Sequence, residues 1–132
     1  MYLSSDIYRN LYSDELDFIK LRAQFVLKIK TTPHRVAYIY TTLDEARAYG
    51  RDSFTLSRGL VNTMSEIKGI DSWVNFTETE EGVLCELRSS KYNINGIAVS
   101  HGGGGHAKAS GATLKDRDEA MQVIEELNAL EM

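Results

Sequence analysis

The chain has 132 residues, 42% of them hydrophobic and 26% charged, with a formal net charge of −4 at pH 7. That length suits one domain with a single sizeable core, and the negative balance argues against a general nucleic-acid coat protein. No apolar run approaches the ~20 residues a membrane helix needs, no signal peptide is visible, and one cysteine excludes an internal disulfide framework, which fits a reducing cytoplasm.

Residues 4–30 read as a helix. Ser13 suits an N-cap, with Asp14 and Glu15 favourably placed against the helix dipole. Leu16, Ile19, Ala23, Val26, Leu27 and Lys30 form one stripe at helical spacing, and Phe18, Leu21, Phe25 and Ile29 occupy another side. Apolar coverage on two sides predicts burial against both this domain and a neighbour. Pro33 breaks the helix. Residues 36–41 are β-branched and aromatic, as a strand requires. Thr42 and Glu45 have capping-box spacing and open a short helix that ends near Gly50. Residues 51–69 carry Leu56, Leu60, Val61 and Met64 at helical spacing, with Gly69 closing the segment.

Residues 72–78 and 83–89 read as strands of a hairpin turned by residues 79–82. Cys85 lies in the apolar run of the second strand and reads as a small core residue rather than a reactive thiol. Residues 94–99 form a short helical segment and residues 109–114 a last strand. Asp116 and Glu119 then cap a final helix whose Met121, Ile124, Leu127 and Leu130 face the core. The expected fold class is α+β: a mixed sheet of about four to five strands covered by helices and preceded by a long helix.

Four of the ten glycines stand together at Gly102, Gly103, Gly104 and Gly105, between His101 and His106. Such a run is costly to order and supplies nothing to a core, so a folded domain keeps it where backbone must approach something closely or φ must be positive. A linker would mix Gly with Ser, without flanking His, Lys and apolar segments. From Arg88 to Leu114 there is no Asp or Glu, although the chain carries 19 acidic residues. Positive charge beside successive backbone N–H donors predicts an anion site. Neither phosphate-loop pattern fits: Lys108 is followed by Ala109, and the dinucleotide fingerprint lacks its third glycine.

Arg88 ends a strand, where a guanidinium clamps phosphate through two parallel hydrogen bonds, and Ser89 beside it is a further donor. His106 suits phosphate donation, base stacking or fixing of the loop. Lys91, Tyr92 and Lys108 are weaker candidates, Tyr92 as a stacking ring or as a half-buried core residue. His34, His101 and His106 lack neighbouring ligands at metal spacing, so no metal and no catalytic residue is assigned to this chain.

The run Gly-Gly-Gly-Gly-His at 102–106, followed by Ala109-Ser110-Gly111 and preceded by Leu87-Arg88-Ser89, resembles the DHHA1 domain, the C-terminal substrate-binding domain of DHH phosphoesterases. The likeness runs from about Val36 to the end and is strongest to the branch of oligoribonucleases that also dephosphorylate pAp. It implies a connector at 1–32 leading from a DHH domain, and a DHHA1 domain at 33–132. It also implies substrate contacts at Arg88, Ser89, Gly102, Gly103, Gly104, Gly105, His106, Ser110 and Gly111. Manganese would belong to the DHH domain, since no Asp-His-His occurs in this sequence. Expected partners are short RNA, pAp or a dinucleotide, the DHH domain itself and, across the first helix, a second copy in a homodimer. Cyclic-di-AMP phosphodiesterases, single-strand exonucleases and the tRNA-binding, dimerising end of alanyl-tRNA synthetases share the domain type and stay as alternatives.

Overall fold

A computed structural model describes the backbone of residues 5–131 and side chains from Leu16 to Glu131. Helix α1 (Ser5–Lys28) leads into a six-stranded sheet. The strands are β1 (Lys30–Thr31), β2 (Val36–Thr41), β3 (Ser72–Glu78), β4 (Val83–Ser89), β5 (Gly104–Gly105) and β6 (Ala109–Leu114), in the order β1-β2-β3-β4-β6-β5. Only β2 and β3 run parallel; every other neighbouring pair is antiparallel. The α+β class is as expected, and the sheet has two short strands beyond the four that the sequence reading places by residue. One comes from the segment after α1, the other from the glycine run itself.

Helix α1 stops two residues short of Lys30 and runs uninterrupted through Ser13, which is therefore no N-cap. Its expected opening at Ser4 lies outside the described residues. Leu21 and Phe25 are buried against the sheet, while Leu16, Ile19, Val26 and Leu27 are exposed. No helix among the described residues is long and apolar enough to cross a membrane.

Helix α2 (Leu43–Tyr49) has the expected reciprocal capping box between Thr42 and Glu45, and Gly50 closes it at φ 68°. The single helix expected over 51–69 is instead a short α3 (Ser53–Ser57), capped by Asp52, followed by a 3-10 turn at Val61–Met64. The cause lies on β3. The Asn75 amide donates to the carbonyls of Leu56 and Ser57 at 2.8 and 2.7 Å, the acceptors that the next helical turn would need. Leu56, Leu60, Val61 and Met64 are nevertheless all buried, so the apolar pattern marks burial without a continuous helix.

Helix α4 (Asn95–Ser100) and helix α5 (Arg117–Ala129), capped by Asp116, cover one face of the sheet. There Val36, Val74, Phe76, Cys85 and Leu87 meet Ile94, Ala98, Val123 and Leu127. Ile124 and Leu127 are buried as expected, but Met121 and Leu130 are only half covered. The other face is covered over β2 and β3 alone, where Ala37, Ile39 and Trp73 pack under α1, α3 and the 3-10 turn.

Candidate functional site

The uncovered part of that second face is the candidate site. Side chains alternate along each strand, so the ladder register fixes what shares it. One row across the sheet is Gly104, Gly111, Glu86, Asn75; the next is Ala109, Arg88, Trp73. His106 falls in that second row, because it and Ala109 exchange backbone hydrogen bonds at 2.8 and 3.3 Å. Over β4, β5 and β6 the rows hold small residues, the two charges Glu86 and Arg88, and His106. The result is an open trough of about 650 Å³, with Gly102, Gly103, Gly104 and Gly111 along its lining and Phe54 and Arg58 of the α3 segment at its wall.

The glycines divide by function. Gly102 has φ 84°, and a Cβ on Gly103 would collide with the Gly111 carbonyl oxygen. A Cβ on Gly105 would meet β6 at 2.7 Å, with φ 146°. These three are required by the path of the chain. Gly104 differs: its Cβ would meet nothing within 4 Å, and its φ is ordinary. The expectation of successive free donors is corrected here. The N–H groups of Gly102 and Gly103 donate to the carbonyls of Val99 and Ala98, closing α4, and that of His106 is spent on Ala109. The loop provides close approach rather than a nest of open amides.

The charge in the trough is a linked set. Glu86 Oε1 accepts from Arg88 Nη2 at 3.1 Å and Arg58 Nε at 3.2 Å. The side chains of Glu86 and Arg88 are only 11% and 16% exposed, against 62% for Arg58, so Arg58 is the more open of the two cations to a ligand. Arg88 Nη1 also donates to the carbonyls of Leu87 (2.8 Å) and Ser110 (3.4 Å), which fixes its fork flat along the sheet. Glu86 also explains Gly111, where a Cβ would collide with Oε2. Arg58 lies over the Phe54 ring, 5.2 Å from its centroid.

Of the expected residues, the structure gathers Arg88, Gly102, Gly103, Gly104, His106 and Gly111 on this side. Ser89 points the other way. Its buried hydroxyl donates to the Asp71 carbonyl at 2.8 Å and accepts from the Lys91 and Tyr92 amides, so its visible work is to hold the turn after β4. Ser110 is buried too, and its hydroxyl donates to the His106 carbonyl at 2.6 Å, stapling the β5–β6 hairpin. Tyr92 packs against the core, with Lys91 Nζ 5.1 Å from its ring centroid. The hydrogen bond to Tyr92 pushes the Lys91 amine up. Lys108 is exposed at the hairpin tip.

His101 is held on the α5 side, with Nδ1 2.6 Å from Glu119 and Nε2 2.8 Å from Glu126. Burial works against its charged form, but the bonds to Glu119 and Glu126 outweigh burial and hold its pKa above the ordinary imidazole value. The Lys115 amide, then His101, holds the Glu119 carboxyl below its usual range. Burial pushes the Cys85 thiol far up, in keeping with a core residue.

Glu86, Arg58 and Phe54 escaped the sequence reading. Counting strand alternation would have placed Glu86 beside Arg88, whereas nothing local marks α3 as a wall of the site. Among the described residues no three His, Cys, Asp or Glu are grouped to hold a metal ion. The one carboxylate in the trough is committed to two arginines, so the donors present do not fit manganese.

Residues 35–131 match the DHHA1 domain family, and the chain belongs to it. It is 31% identical over 129 residues to the bifunctional oligoribonuclease and PAP phosphatase NrnA of Bacillus subtilis, covering 98% of this chain and 41% of that protein. The protein of the same name from Mycoplasma pneumoniae is also 31% identical, over 136 residues, with 96% and 41% covered. The chain thus spans about two fifths of the length of these curated relatives. Among solved structures, an exopolyphosphatase-related protein from Bacteroides fragilis superposes with a TM-score of 0.76 at 27% identity, covering 97% of this chain and 39% of that one. A pGpG-specific phosphodiesterase from Vibrio cholerae shares the fold with a TM-score of 0.67 at 14% identity, covering 97% and 43%.

Proposed function

We propose that this chain is the substrate-holding part of a cytoplasmic, metal-dependent phosphoesterase that degrades short oligoribonucleotides, pAp or both. The terminal phosphate lies over Gly104 and Gly111, with Arg58 and Arg88 supplying the positive charge and His106 standing in the adjoining row. Gly104 carries the reading: the fold gives no reason for a glycine there, and a ligand lying against the backbone does. The two relatives named for oligoribonuclease and PAP phosphatase activity support that choice of substrate.

The chain's own residues bind and orient the nucleotide; they activate no water. Manganese supplies that chemistry from a DHH domain, for which the uncovered side of α1 is the docking face, with a homodimer across the helix as the other arrangement. Incubated with manganese and pAp, the chain is expected to release no phosphate above background. It should bind pAp weakly and in a salt-sensitive way, and Gly104→Val should abolish that binding without lowering the melting temperature. Chelator-sensitive turnover by the chain alone, or full binding by Gly104→Val, would overturn the proposal.

A further inference from the structure

The wall of the trough carries an aromatic ring that phosphate recognition does not use. Phe54 is 62% exposed on the inner edge of the wall, a large apolar ring that the fold leaves in water. Its helix is not loosely held. Asp52 caps α3 through the Thr55 amide at 2.8 Å, and Asn75 ties down the far end. The ring is accompanied by the Arg58 guanidinium, which is itself anchored on Glu86 and, through it, on Arg88. A rigid aromatic face beside a planar, oriented cation presents two stacking surfaces at one end of a glycine floor.

We propose that Phe54 and Arg58 form a nucleobase platform, so that the trough selects a nucleotide over a bare phosphorylated sugar. This deepens the reading above and rests on the trough being the substrate site. Stacking on a phenyl ring and a guanidinium uses the π-face that every base possesses, so the platform favours purines by area without reading a particular base.

The test is calorimetric titration of the chain with adenosine 5′-monophosphate, uridine 5′-monophosphate, ribose 5-phosphate and adenosine. The expected order of affinity is adenosine monophosphate, then uridine monophosphate, then ribose 5-phosphate. Phe54→Ala should cut adenosine monophosphate binding about tenfold, leave ribose 5-phosphate unchanged and leave the melting temperature unchanged. Phe54→Trp should restore the preference. The platform is overturned if Phe54→Ala keeps the nucleotide preference, or weakens nucleotide and sugar phosphate alike. If adenosine binds as well as its monophosphate while ribose 5-phosphate does not bind, the platform stands and the phosphate reading falls. No binding of any probe overturns both.

Discussion

The two faces of the sheet treat their residues differently. Under α4 and α5, the apolar strand residues meet apolar partners: Val74, Phe76, Cys85 and Leu87 are at most 1% exposed. On the opposite face of the same sheet the apolar cover lies over β2 and β3, and Glu86, Thr113 and glycines line an open trough, with Arg88 bonded to Glu86 beside it. On the closed face residue identity follows from packing density. On the open face Gly102 is accounted for by its positive φ, Gly103 by backbone clearance and Gly111 by the Glu86 carboxylate, while Gly104 is accounted for by none of these. Comparing the two separates the glycines that the path of the chain requires from Gly104, which it does not require.

The comparison breaks most visibly at the core. Leu87→Ala should cost ~2–5 kcal/mol of stability by denaturant unfolding, while Phe54, across the sheet at the trough wall, should be replaceable at no measurable cost. Within the glycine run, Gly103→Ala should cost ~1–3 kcal/mol, since its Cβ has no room against β6, whereas Gly104→Ala should stay within ~0.5 kcal/mol of the parent. Equal melting of the two variants would erase the distinction between them.

A smaller effect of mixed sign is expected at Glu86. Glu86→Gln should lose ~1–3 kcal/mol, because Arg88 keeps its burial without a charged partner, and should strengthen binding of inorganic phosphate measured by titration. Lower stability with weaker phosphate binding would show that Glu86 positions the arginines more than it opposes the anion.

The smallest effect is visible only against pH. His101 is held above its ordinary pKa, so its contribution is fully present below about pH 6.5 and is lost as pH rises through the raised value. Glu119 is depressed, so its contribution is present above the usual carboxylate range and is lost as pH falls through the lowered value. Melting curves of the parent and His101→Gln should therefore differ most near about pH 5–6 and converge toward about pH 9. A difference that grows with rising pH would reverse the assignment.

Elements signalled by neighbouring residues are legible in the sequence. The Thr42–Glu45 box, the hairpin around Gly82 and the Asp116 cap each need only a few residues in succession, and each is present. What sequence distance hides is different in kind. The helix expected over 51–69 ends early because Asn75, 18 residues beyond Ser57, claims its carbonyls. The acid-free stretch beginning at Arg88 reads as purely positive, yet pairing returns Glu86 to one side of it, and Glu119 and Glu126 to His101. Strand alternation also separates Arg88 from Ser89, whose hydroxyl turns to the other side of the sheet and the Asp71 carbonyl.

The β3–β4 hairpin has a consequence in time. Its connection is four residues, Thr79 to Gly82, while one wall of the trough arrives from α3, before the hairpin, and the floor from β5 and β6, after it. The hairpin closes a short loop and is positioned to form early; the floor must close a much longer one, from Ser89 to Ala109, and comes later. The floor is therefore expected to join β4 after the β3–β4 hairpin has formed. Its edge is where transient opening costs least: amides of β5 should exchange with solvent deuterium well before those of β3 and β4, even while the closed face stays intact.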